Sequence, residues 1–327
     1  MGHHYRAVQH GRAKLTILSE IRGVLSGLAI VAVALLLAVS IPFGMPGQEL
    51  LSTLRFHLGI ALLALPLLLA LSGARLRALV MLGLVLASLA QGAGMVFMQQ
   101  GHRAAFAELQ PKAGFRALSF NVLAANPRRA DAARYIMDSN ADVVVVMEAG
   151  GLYGLWPEIM QTYPYRLGCE PENACDLAIL SRTPFVSAQR HLLYGLERWR
   201  LSQATVMFGG EAVTVVGLHL TKPYFDRVAE LELVQARSVI GAIEGPVLLM
   251  GDFNAAAWSN QVAGFAAALD LVPPPTYPAT WPVELGPFGV PIDNMFTRGA
   301  ALIRTIGSTP EAFGSNHLGL LATVELF

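Results

Sequence analysis

Polar side chains stand at the ends of several apolar runs in the second half of the chain. Asn121 ends LSFN, Glu148 ends VVVVME, His219 ends VVGLHL, and Asp252 with Asn254 ends VLLMGDFN. Side chains delivered from the ends of neighbouring strands can converge on one crevice of an α/β sheet. Carboxylates and amides that converge in this way can build a ligand or metal site.

Each of these residues has a simpler interpretation when it is taken alone. A single Asp or Asn at a strand end is usually a turn or helix cap, and a lone His219 is more often a structural histidine. Two further candidates follow in the last third of the chain, namely Asp293 in PIDNMF and the Asn316–His317 pair in GSNHLG. The recurrence of such residues in order favours one shared site.

Strands that alternate with helices are predicted to position these residues. From Phe115 onward, short runs rich in Val, Ile and Leu predict strands, and residues 128–139 and 227–243 predict helices. The strand segments are FRALSFNVL, ADVVVVME, DLAILS, AVTVVGLHL, PVLLMGDFN, PIDNMFT and LGLLATVEL. The alternation predicts an α/β layered domain of roughly 215 residues. Prolines within residues 273–278 and 282–291 predict long loops.

The ordered blocks FNV, ME, HLT, GDFN, PIDNMF and SNH resemble the endonuclease/exonuclease/phosphatase superfamily. That superfamily includes pancreatic-type deoxyribonuclease, abasic-site endonucleases, neutral sphingomyelinases and inositol polyphosphate phosphatases. The resemblance covers approximately residues 113–327. It implies a four-layer α/β sandwich, in which two packed mixed β-sheets are flanked by helices. It also implies metal-dependent hydrolysis of a phosphodiester or phosphomonoester in nucleic acid, a phospholipid head group or a small organic phosphate.

The resemblance assigns catalytic roles to five residues. Asp252 matches the residue that orients and deprotonates the attacking water, and Asn254 beside it helps to hold the nucleophile or a phosphate oxygen. His219 and His317 match two histidines that contact the scissile phosphate. Asp293 matches the carboxylate that hydrogen-bonds the final histidine and favours its charged form.

The resemblance also implies a magnesium or manganese site. Asn121 and Glu148 match the family's metal-binding positions, where hard oxygen ligands suit Mg²⁺ or Mn²⁺. The family usually has SDH where this chain has Asn316 in SNH. Because an amide keeps an oxygen ligand but removes a negative charge, we expect weaker metal binding. The change leaves open an alternative, a catalytically weak or inactive phospholigand-binding membrane protein.

Other polar residues give weaker signals. Lys222 and Tyr224 follow HLT and are candidates for substrate contact. Asp142 is more simply a cap that turns the chain into the strand ADVVVVME. Arg128 and Arg129 could contact phosphate, but a solvated helix face explains them equally well.

The first hundred residues carry most of the apolar excess. The chain is 54% apolar and only 14% charged, whereas ordinary soluble domains carry about 25% charged residues. The apolar runs 24–43, 56–73 and 78–98 predict three transmembrane helices, because about 20 residues at 1.5 Å each span a bilayer core. A cleaved signal peptide is the alternative for the first run. The predicted segments are a cytoplasmic tail 1–23, an anchor 24–98, a linker 99–112 and a catalytic domain 113–327.

The charge distribution and the cysteines predict the location of the catalytic domain. Lys and Arg resist translocation, so the basic tail and the loop with Arg75 and Arg77 are predicted to face the cytoplasm. Three spans then place the catalytic domain outside the cytoplasm, on the periplasmic side of a cell inner membrane. Cys169 and Cys175, the only cysteines, lie in a short polar loop and favour a disulfide over free thiols. A disulfide would fit an oxidising compartment.

Overall fold

The computed structural model describes residues 2–170, 175–195, 198–224 and 226–327, with side chains from residue 17 onward. The chain forms two compact units, Met1–Gly94 and Met95–Phe327. Each unit has apolar clusters of its own.

The first unit is helical. Its elements are α1 (Gly2–Ser40), α2 (Gln48–Thr53), α3 (Arg55–Leu62), α4 (Ala64–Leu71) and the first part of α5 (Arg75–Gly101). Leu36, Leu69, Met81 and Val85 are buried where these helices pack together. Most other large apolar side chains of α1 and α5 are exposed, as a lipid-facing helix surface would require.

Two of the three predicted spans have the length and apolar composition needed to cross a membrane. They are Ile17–Ser40 and Arg75–Phe106, among the described residues. The middle stretch, Arg55–Leu71, is shorter because it begins after the turn at Leu54 and ends before the turn at Ser72–Gly73, where Gly73 has a φ of +85°. Seventeen residues reach only about 25 Å, less than the roughly 30 Å of a bilayer core. The prediction of three transmembrane helices is therefore not confirmed.

Polar side chains in the first unit hydrogen-bond to backbone carbonyl groups at the C-terminal end of α1. Arg55 donates from Nη2 to the carbonyl of Val39 at 2.9 Å, and Gln91 donates to the carbonyl of Ser40 at 2.9 Å. The Gln48 side chain accepts the N–H of Phe43 at Oε1 and donates from Nε2 to the carbonyl of Ala38. These contacts pair carbonyls that a helix end leaves without intrahelical partners.

The second unit is an α/β structure. Its strands are β1 (Ala113–Asn121), β2 (Val143–Met147), β3 (Tyr165–Leu167), β4 (Leu177–Ser181), β5 (Phe185–Leu193), β6 (Arg198–Phe208), β7 (Glu211–His219), β8 (Val247–Asp252), β9 (Asp293–Arg298), β10 (Ala301–Ser308) and β11 (Leu320–Leu326). Its α-helices are α6 (Arg129–Asp138), α7 (Trp156–Thr162), α8 (Val228–Gly241) and α9 (Asn260–Ala268), and short 3₁₀ helices cover His102–Phe106, Ala149–Leu152 and Val283–Phe288.

The strands form two mixed sheets. One has the order β10-β11-β1-β2-β4-β3 and the other β5-β6-β7-β8-β9, with parallel pairs β1/β2 and β7/β8. Because side chains alternate along a strand, Val145 and Val215 point into the layer between the sheets, and Val144 and Val216 point outward. Helices α6 and α7 cover one outer face, and α8 and α9 cover the other. The predicted pair of packed mixed sheets flanked by helices is confirmed.

The strand register brings the polar strand ends to one edge of the sandwich. His219 is the partner of Asp252 in the parallel β7/β8 pair, and Asp252 is the partner of Asp293 in the antiparallel β8/β9 pair. Asn121 ends β1 beside Met147, the last residue of β2. We call the end of the sandwich with Asn121, His219, Asp252 and Asp293 the polar edge, and the other end the opposite edge.

Gly251 permits the close approach of β7 and β8 at the polar edge. A Cβ atom at this position would lie 1.8 Å from the carbonyl oxygen of Leu218. Every other residue type would therefore push the two strands apart. The glycine of GDFN thus fixes the spacing between His219 and Asp252.

Residues 99–112, predicted as a linker, are largely ordered against the second unit. Helix α5 continues to Gly101, and the 3₁₀ helix follows directly. Gln99 donates to the carbonyl of Ala257 at 2.9 Å, and Arg103 donates to that of Pro273 at 2.8 Å. The segment is held because its polar side chains pair with loop carbonyls that would otherwise need water.

Candidate active site

Asp252 is the centre of the polar edge. Its Oδ1 accepts the N–H of Asn254 at 2.8 Å, and its Oδ2 accepts the Asn121 amide at 3.0 Å. Nε2 of His219 and Nε2 of His317 each lie 3.8 Å from the same Oδ2. The carboxylate is almost fully buried. Four of the residues predicted from sequence are therefore gathered around the carboxylate of a fifth, Asp252.

Both sheets contribute to this cluster. Asn121 comes from β1 in one sheet, and Asp252 comes from β8 in the other. The Asn121 amide also donates to Glu148 Oε1 at 3.3 Å. Glu148 Oε2 in turn accepts the N–H of Ala124 at 2.8 Å. The packing of the two sheets thus assembles the cluster.

Two residues of the cluster have left-handed backbone conformations, which residues other than glycine rarely adopt. The φ angles of Glu148 and Asn254 are +49° and +51°. Such a conformation costs roughly 1–3 kcal/mol and persists only where surrounding contacts fix it. For Asn254 these contacts include its own N–H on Asp252 and its side-chain amide on the carbonyl of Leu220, at 2.8 Å each.

His317 is paired with Asp293. The distance between His317 Nδ1 and Asp293 Oδ2 is 2.8 Å, and both side chains are buried. Burial by itself lowers the pKa of His317, but the negative charges of Asp293 and Asp252 outweigh burial and raise that pKa to about 9. With Nδ1 held by Asp293, Nε2 is the nitrogen that points to Asp252.

His219 has a carboxylate partner that the sequence did not predict. Nδ1 of His219 lies 2.5 Å from Asp176 Oδ1. Asp176 stands at the start of the predicted strand DLAILS, whereas Asn121, Glu148, His219 and Asp252 stand at strand ends. Because β4 runs antiparallel to β2, the start of β4 lies at the polar edge. An acidic residue just before an antiparallel strand was the available signal.

Arg200 and Glu232 stand behind Asp176 and were also missed. Arg200 Nε is 3.0 Å from Asp176 Oδ2, and its Nη1 is 3.7 Å from Glu232 Oε1. Glu232 is fully buried and accepts the N–H and hydroxyl of Thr221 at 2.7 and 2.9 Å. Burial raises the pKa of Asp176, but the hydrogen bond with His219 and the nearby positive charges outweigh burial and lower it. A buried ionic chain therefore runs from Glu232 to His219.

Oxygen atoms without hydrogen-bond partners are present at the cluster. Among the described residues, Asn316 Oδ1 and Asp293 Oδ1 are buried and accept no hydrogen bond. Asp252, Asp293 and His317 also each offer a ligand atom within 4.8 Å of the others. Together with the Glu148 carboxylate, these donors are hard oxygens and one imidazole, so the residues fit a divalent cation such as Mg²⁺.

The weaker candidates lie apart from the cluster. Asp142 accepts the N–H of Arg116 at 2.8 Å, as expected for a cap. Arg128 pairs with Asp131 and with a second surface carboxylate, so it lies on a solvated helix face. Lys222 is exposed in the segment after β7.

The predicted disulfide is present beside the cluster. Cys169 and Cys175 are bonded, with a Cα–Cα distance of 4.5 Å. The Cys175 carbonyl accepts the N–H of Gly150 at 2.9 Å. The bridge therefore ends one residue before Asp176 and lies next to the segment that follows Glu148.

Comparisons with known proteins agree with the α/β fold of the second unit. A model of the Endonuclease/Exonuclease/phosphatase family matches residues 118–317. No curated protein matches the sequence. An endonuclease/exonuclease/phosphatase from Bacteroides vulgatus has a TM-score of 0.54 and 17% identity, with 65% of this chain and 99% of that chain covered.

Two further solved structures are similar. The endonuclease/exonuclease/phosphatase from Beutenbergia cavernae has a TM-score of 0.52 and 18% identity, over 65% of this chain and 72% of that chain. Sphingomyelinase C from Streptomyces griseocarneus has a TM-score of 0.50 and 18% identity, over 64% and 99%. At these identities the likeness establishes the fold. Because the family model covers more than half of the chain, the protein belongs to the endonuclease/exonuclease/phosphatase family, a family of metal-dependent hydrolases.

Proposed function

We propose that the protein is a membrane-anchored, divalent-metal-dependent phosphoesterase that hydrolyses a phosphodiester or phosphomonoester by attack of an activated water. The observation that carries this proposal is the convergence of Asn121, His219 and His317 on Oδ2 of Asp252. A buried carboxylate between two imidazoles can accept a proton from water while the imidazoles face a phosphate.

Asp252 is the general base in this proposal. Its Oδ1 is occupied by the N–H of Asn254, and this hydrogen bond orients the carboxylate. Its Oδ2 is the atom that faces both histidines and takes the proton of the attacking water. Asn254 thus has a positioning role, because it holds the carboxylate in one orientation.

The two histidines stabilise the phosphate. Each holds its Nδ1 against a carboxylate, His219 against Asp176 and His317 against Asp293, so each presents Nε2 to the substrate. A protonated imidazole donates to a phosphoryl oxygen as negative charge develops there, and it can return a proton to the leaving oxygen. The raised pKa of His317, about 9, keeps this residue charged at neutral pH.

Glu148 and Asn316 are the residues that would hold the cation, with Asp252 and Asp293 close by. Asn121, the third predicted ligand, donates its amide to Glu148 and Asp252 and accepts the N–H of Leu123 at Oδ1, so it orients the two carboxylates. A bound Mg²⁺ or Mn²⁺ supplies positive charge that polarises the phosphoryl oxygen. The unpartnered oxygen of Asn316 supports this assignment. Because an amide carries no charge, we expect the site to bind the cation more weakly than a carboxylate in that position would.

Membrane anchoring and an extracytoplasmic catalytic unit complete the proposal. The apolar helices Ile17–Ser40 and Arg75–Phe106 support anchoring, and Arg55–Leu71 is the proposed middle crossing. The Cys169–Cys175 disulfide supports the oxidising side of a cell membrane. Reporter fusions after residue 110 test the orientation, and activity only of reporters that work in the cytoplasm would contradict it.

The first experiment is hydrolysis of bis(4-nitrophenyl) phosphate by the full chain with Mg²⁺ or Mn²⁺. We expect turnover that a chelator removes and that Asp252→Ala abolishes. Asp131→Ala is the matched control, because Asp131 is an exposed carboxylate paired only on the surface of α6. Equal turnover in the native chain and in Asp252→Ala would refute the proposed base.

A second candidate function is a phospholigand-binding membrane protein, and Asn316 is the observation that favours it. The family pattern has a carboxylate at this position, so the change could leave a site that binds phosphate without turnover. If the native chain is inert and Asn316→Asp hydrolyses the diester, the binding function is supported instead. Turnover by the native chain excludes it.

A further inference from the structure

The segment from Met95 to Phe106 runs along one side of the second unit from the polar edge to the opposite edge. Near the polar edge, Gln99 donates to the carbonyl of Ala257, five residues beyond Asp252, and accepts the Tyr277 hydroxyl at 2.8 Å. At the other end, Phe106 packs against Phe327, which follows β11 at the opposite edge. Residues 95–98 therefore emerge at the polar edge.

These emerging residues are apolar and open to the surroundings. Phe97 is 79% exposed and Met98 is 73% exposed. They belong to the candidate membrane span Arg75–Phe106. The part of that helix that belongs to the second unit is therefore lipid-compatible at the same edge as the candidate active site.

The loops of the polar edge carry further exposed apolar side chains. Leu285 and Phe288 are 53% and 75% exposed in the 3₁₀ segment that leads to β9. Tyr153 follows β2, and Tyr194 lies between β5 and β6, and both are mostly exposed. Strand directions place all three connections at the polar edge. We call Phe97, Met98, Tyr153, Tyr194, Leu285 and Phe288 the apolar rim.

The opposite edge differs. The described turns that join its strands, at residues 182–184, 209–210 and 299–300, expose no large apolar side chain. The exposed apolar residues nearest to these turns, Val186 and Met207, lie on the strands themselves. Leu109, 46% exposed, lies in the segment that leads to β1 at this edge, whereas six exposed apolar residues form the apolar rim at the end of the sandwich that holds Asp252.

We propose that the apolar rim docks on the surface of a lipid bilayer, so that the polar edge acts on the phosphodiester of a phospholipid head group. This inference rests on the proposed phosphoesterase function. Aromatic side chains favour the membrane–water interface, and apolar faces enter it by about 5–10 Å, the depth of the head-group and acyl boundary. Docking of the rim therefore brings the polar edge to the level of the lipid phosphates.

The charge balance favours lipid over nucleic acid. The chain after residue 100 has 16 Lys and Arg against 21 Asp and Glu. Tight nucleic-acid binding depends on basic side chains that neutralise many phosphates. A bilayer that the chain itself spans would also hold its lipids at high local concentration, so little added affinity is needed.

A fluorescence experiment tests the docking without any need for activity. The full chain and its variants Phe288→Trp and Val186→Trp are reconstituted into phosphatidylcholine nanodiscs with ordinary or brominated acyl chains. The fluorescence of the native chain is subtracted from that of each variant, which leaves the signal of the added Trp. We expect brominated lipid to quench the added Trp at position 288 at least twice as strongly as the one at 186. Equal quenching at both positions would overturn the docking.

A second experiment tests the substrate class. Head-group release from vesicles of phosphatidylcholine, phosphatidylglycerol and sphingomyelin is divided by turnover of soluble bis(4-nitrophenyl) phosphate. We expect this ratio to fall about tenfold in the L285S/F288S double variant, because loss of two apolar contacts weakens docking, and to stay within twofold in V186S/M207S.

The outcomes separate this inference from the proposed function. Soluble turnover without lipid turnover by the native chain, or cleavage of DNA in preference to lipid, overturns the lipid substrate. Absence of all turnover overturns the proposed function, and the quenching experiment still decides whether the rim meets the bilayer.

Discussion

Two histidine–carboxylate pairs flank Asp252 with similar distances and different electrostatic surroundings. Each histidine has Nε2 at 3.8 Å from Asp252 and Nδ1 on a carboxylate, Asp176 for one and Asp293 for the other. Asp176 also pairs with Arg200 at 3.0 Å. Asp293 forms no ion pair with Lys or Arg within the described part of the chain.

The difference shows that the strands fix the geometry and that Arg200 alters the charge. At Asp176 the negative charge is shared between a histidine and a guanidinium, and the pKa of Asp176 is lowered. Among the described residues, His317 is the one cation paired with Asp293, and the pKa of His317 is raised to about 9. We therefore expect His317 to act as the permanent imidazolium and His219 as the weaker electrostatic partner.

The largest effect is expected from removal of the residue that both pairs share. Asp252→Ala removes the base and the anion between the histidines, so kcat for a soluble phosphodiester should fall at least about 1,000-fold. Steady-state hydrolysis with saturating Mg²⁺ measures this. More than a tenth of native activity in the variant would contradict a shared centre.

Replacing Asp293 or Asp176 by Asn removes the charged partner of one histidine at a time. Asp293→Asn should lower kcat about 100-fold, because His317 loses the only charge that holds its proton. Asp176→Asn should lower kcat about tenfold, since its histidine carries less of the charge stabilisation. Parallel kinetics of the two variants measure the difference. The reverse order would mean that the Arg200 side dominates catalysis.

Arg200→Met tests the row of buried ionic side chains, Glu232, Arg200 and Asp176, that supports His219. The substitution leaves Asp176 and Glu232 buried without their cation, so the free energy of unfolding should fall by about 3–5 kcal/mol. Thermal unfolding of the detergent-solubilised chain measures the loss. The double variant with Glu232→Gln should recover part of it, and Arg304→Met, at an exposed ion pair, is the control. Equal losses in both single variants would contradict the buried chain.

Asn316→Asp adds a negative charge on the His317 side of Asp252 and so increases the electrostatic difference from the His219 side. A carboxylate next to His317 should tighten Mg²⁺ binding about tenfold, because it adds a charge to the ligand set. Isothermal titration calorimetry measures the dissociation constant directly. Asn140→Asp, in an exposed turn, is the matched control. Unchanged affinity would show that residue 316 does not contact the cation.

The two pairs should contribute stability in different pH ranges. The pKa of His317 is raised above its ordinary 6.5, so its contribution is fully present below pH 6.5 and is lost as pH rises through about 9. The pKa of Asp176 is lowered, so its contribution is present above its ordinary 3.8 and is lost in stronger acid. The contribution of His317 should be about 3 kcal/mol, because each unit of pKa difference corresponds to about 1.4 kcal/mol.

Melting temperatures of the metal-free chain across this pH range measure both contributions. Asp293→Asn should flatten the alkaline side of the profile, and Asp176→Asn should flatten the acid side. Identical profiles for the two variants would show that the pairs are electrostatically equivalent.

The sequence predicted the parts of the fold in which pattern and environment agree. The strands around Val145 and Leu249 are buried on both faces and were recognised as apolar runs. Strands β3, β5, β6 and β10 were not predicted. Strand β5 is largely exposed, and its segment FVSAQRHLL shows no continuous apolar run. The middle membrane span was predicted from composition, which does not report the turns at Leu54 and Ser72–Gly73 that bound the helix.

The candidate site shows the same limit. Polar residues at strand ends, such as Asn121 and Asp252, could be predicted because they recur in order at the ends of several apolar runs. Arg200 and Glu232 lie 32 residues apart and meet only through the packing of β6 and α8. Their burial is visible only in three dimensions, since the sequence shows two ordinary charged residues.

The close approach at Gly251 has a genetic consequence. A side chain there would act as a wedge between the carbonyl of Leu218 and the strand that carries Asp252. In an unbiased screen for loss-of-function alleles, we expect changes at Gly251 to score as severely as changes at Asp252, the proposed general base. The most mutation-sensitive positions of this protein should therefore include one that has no side chain.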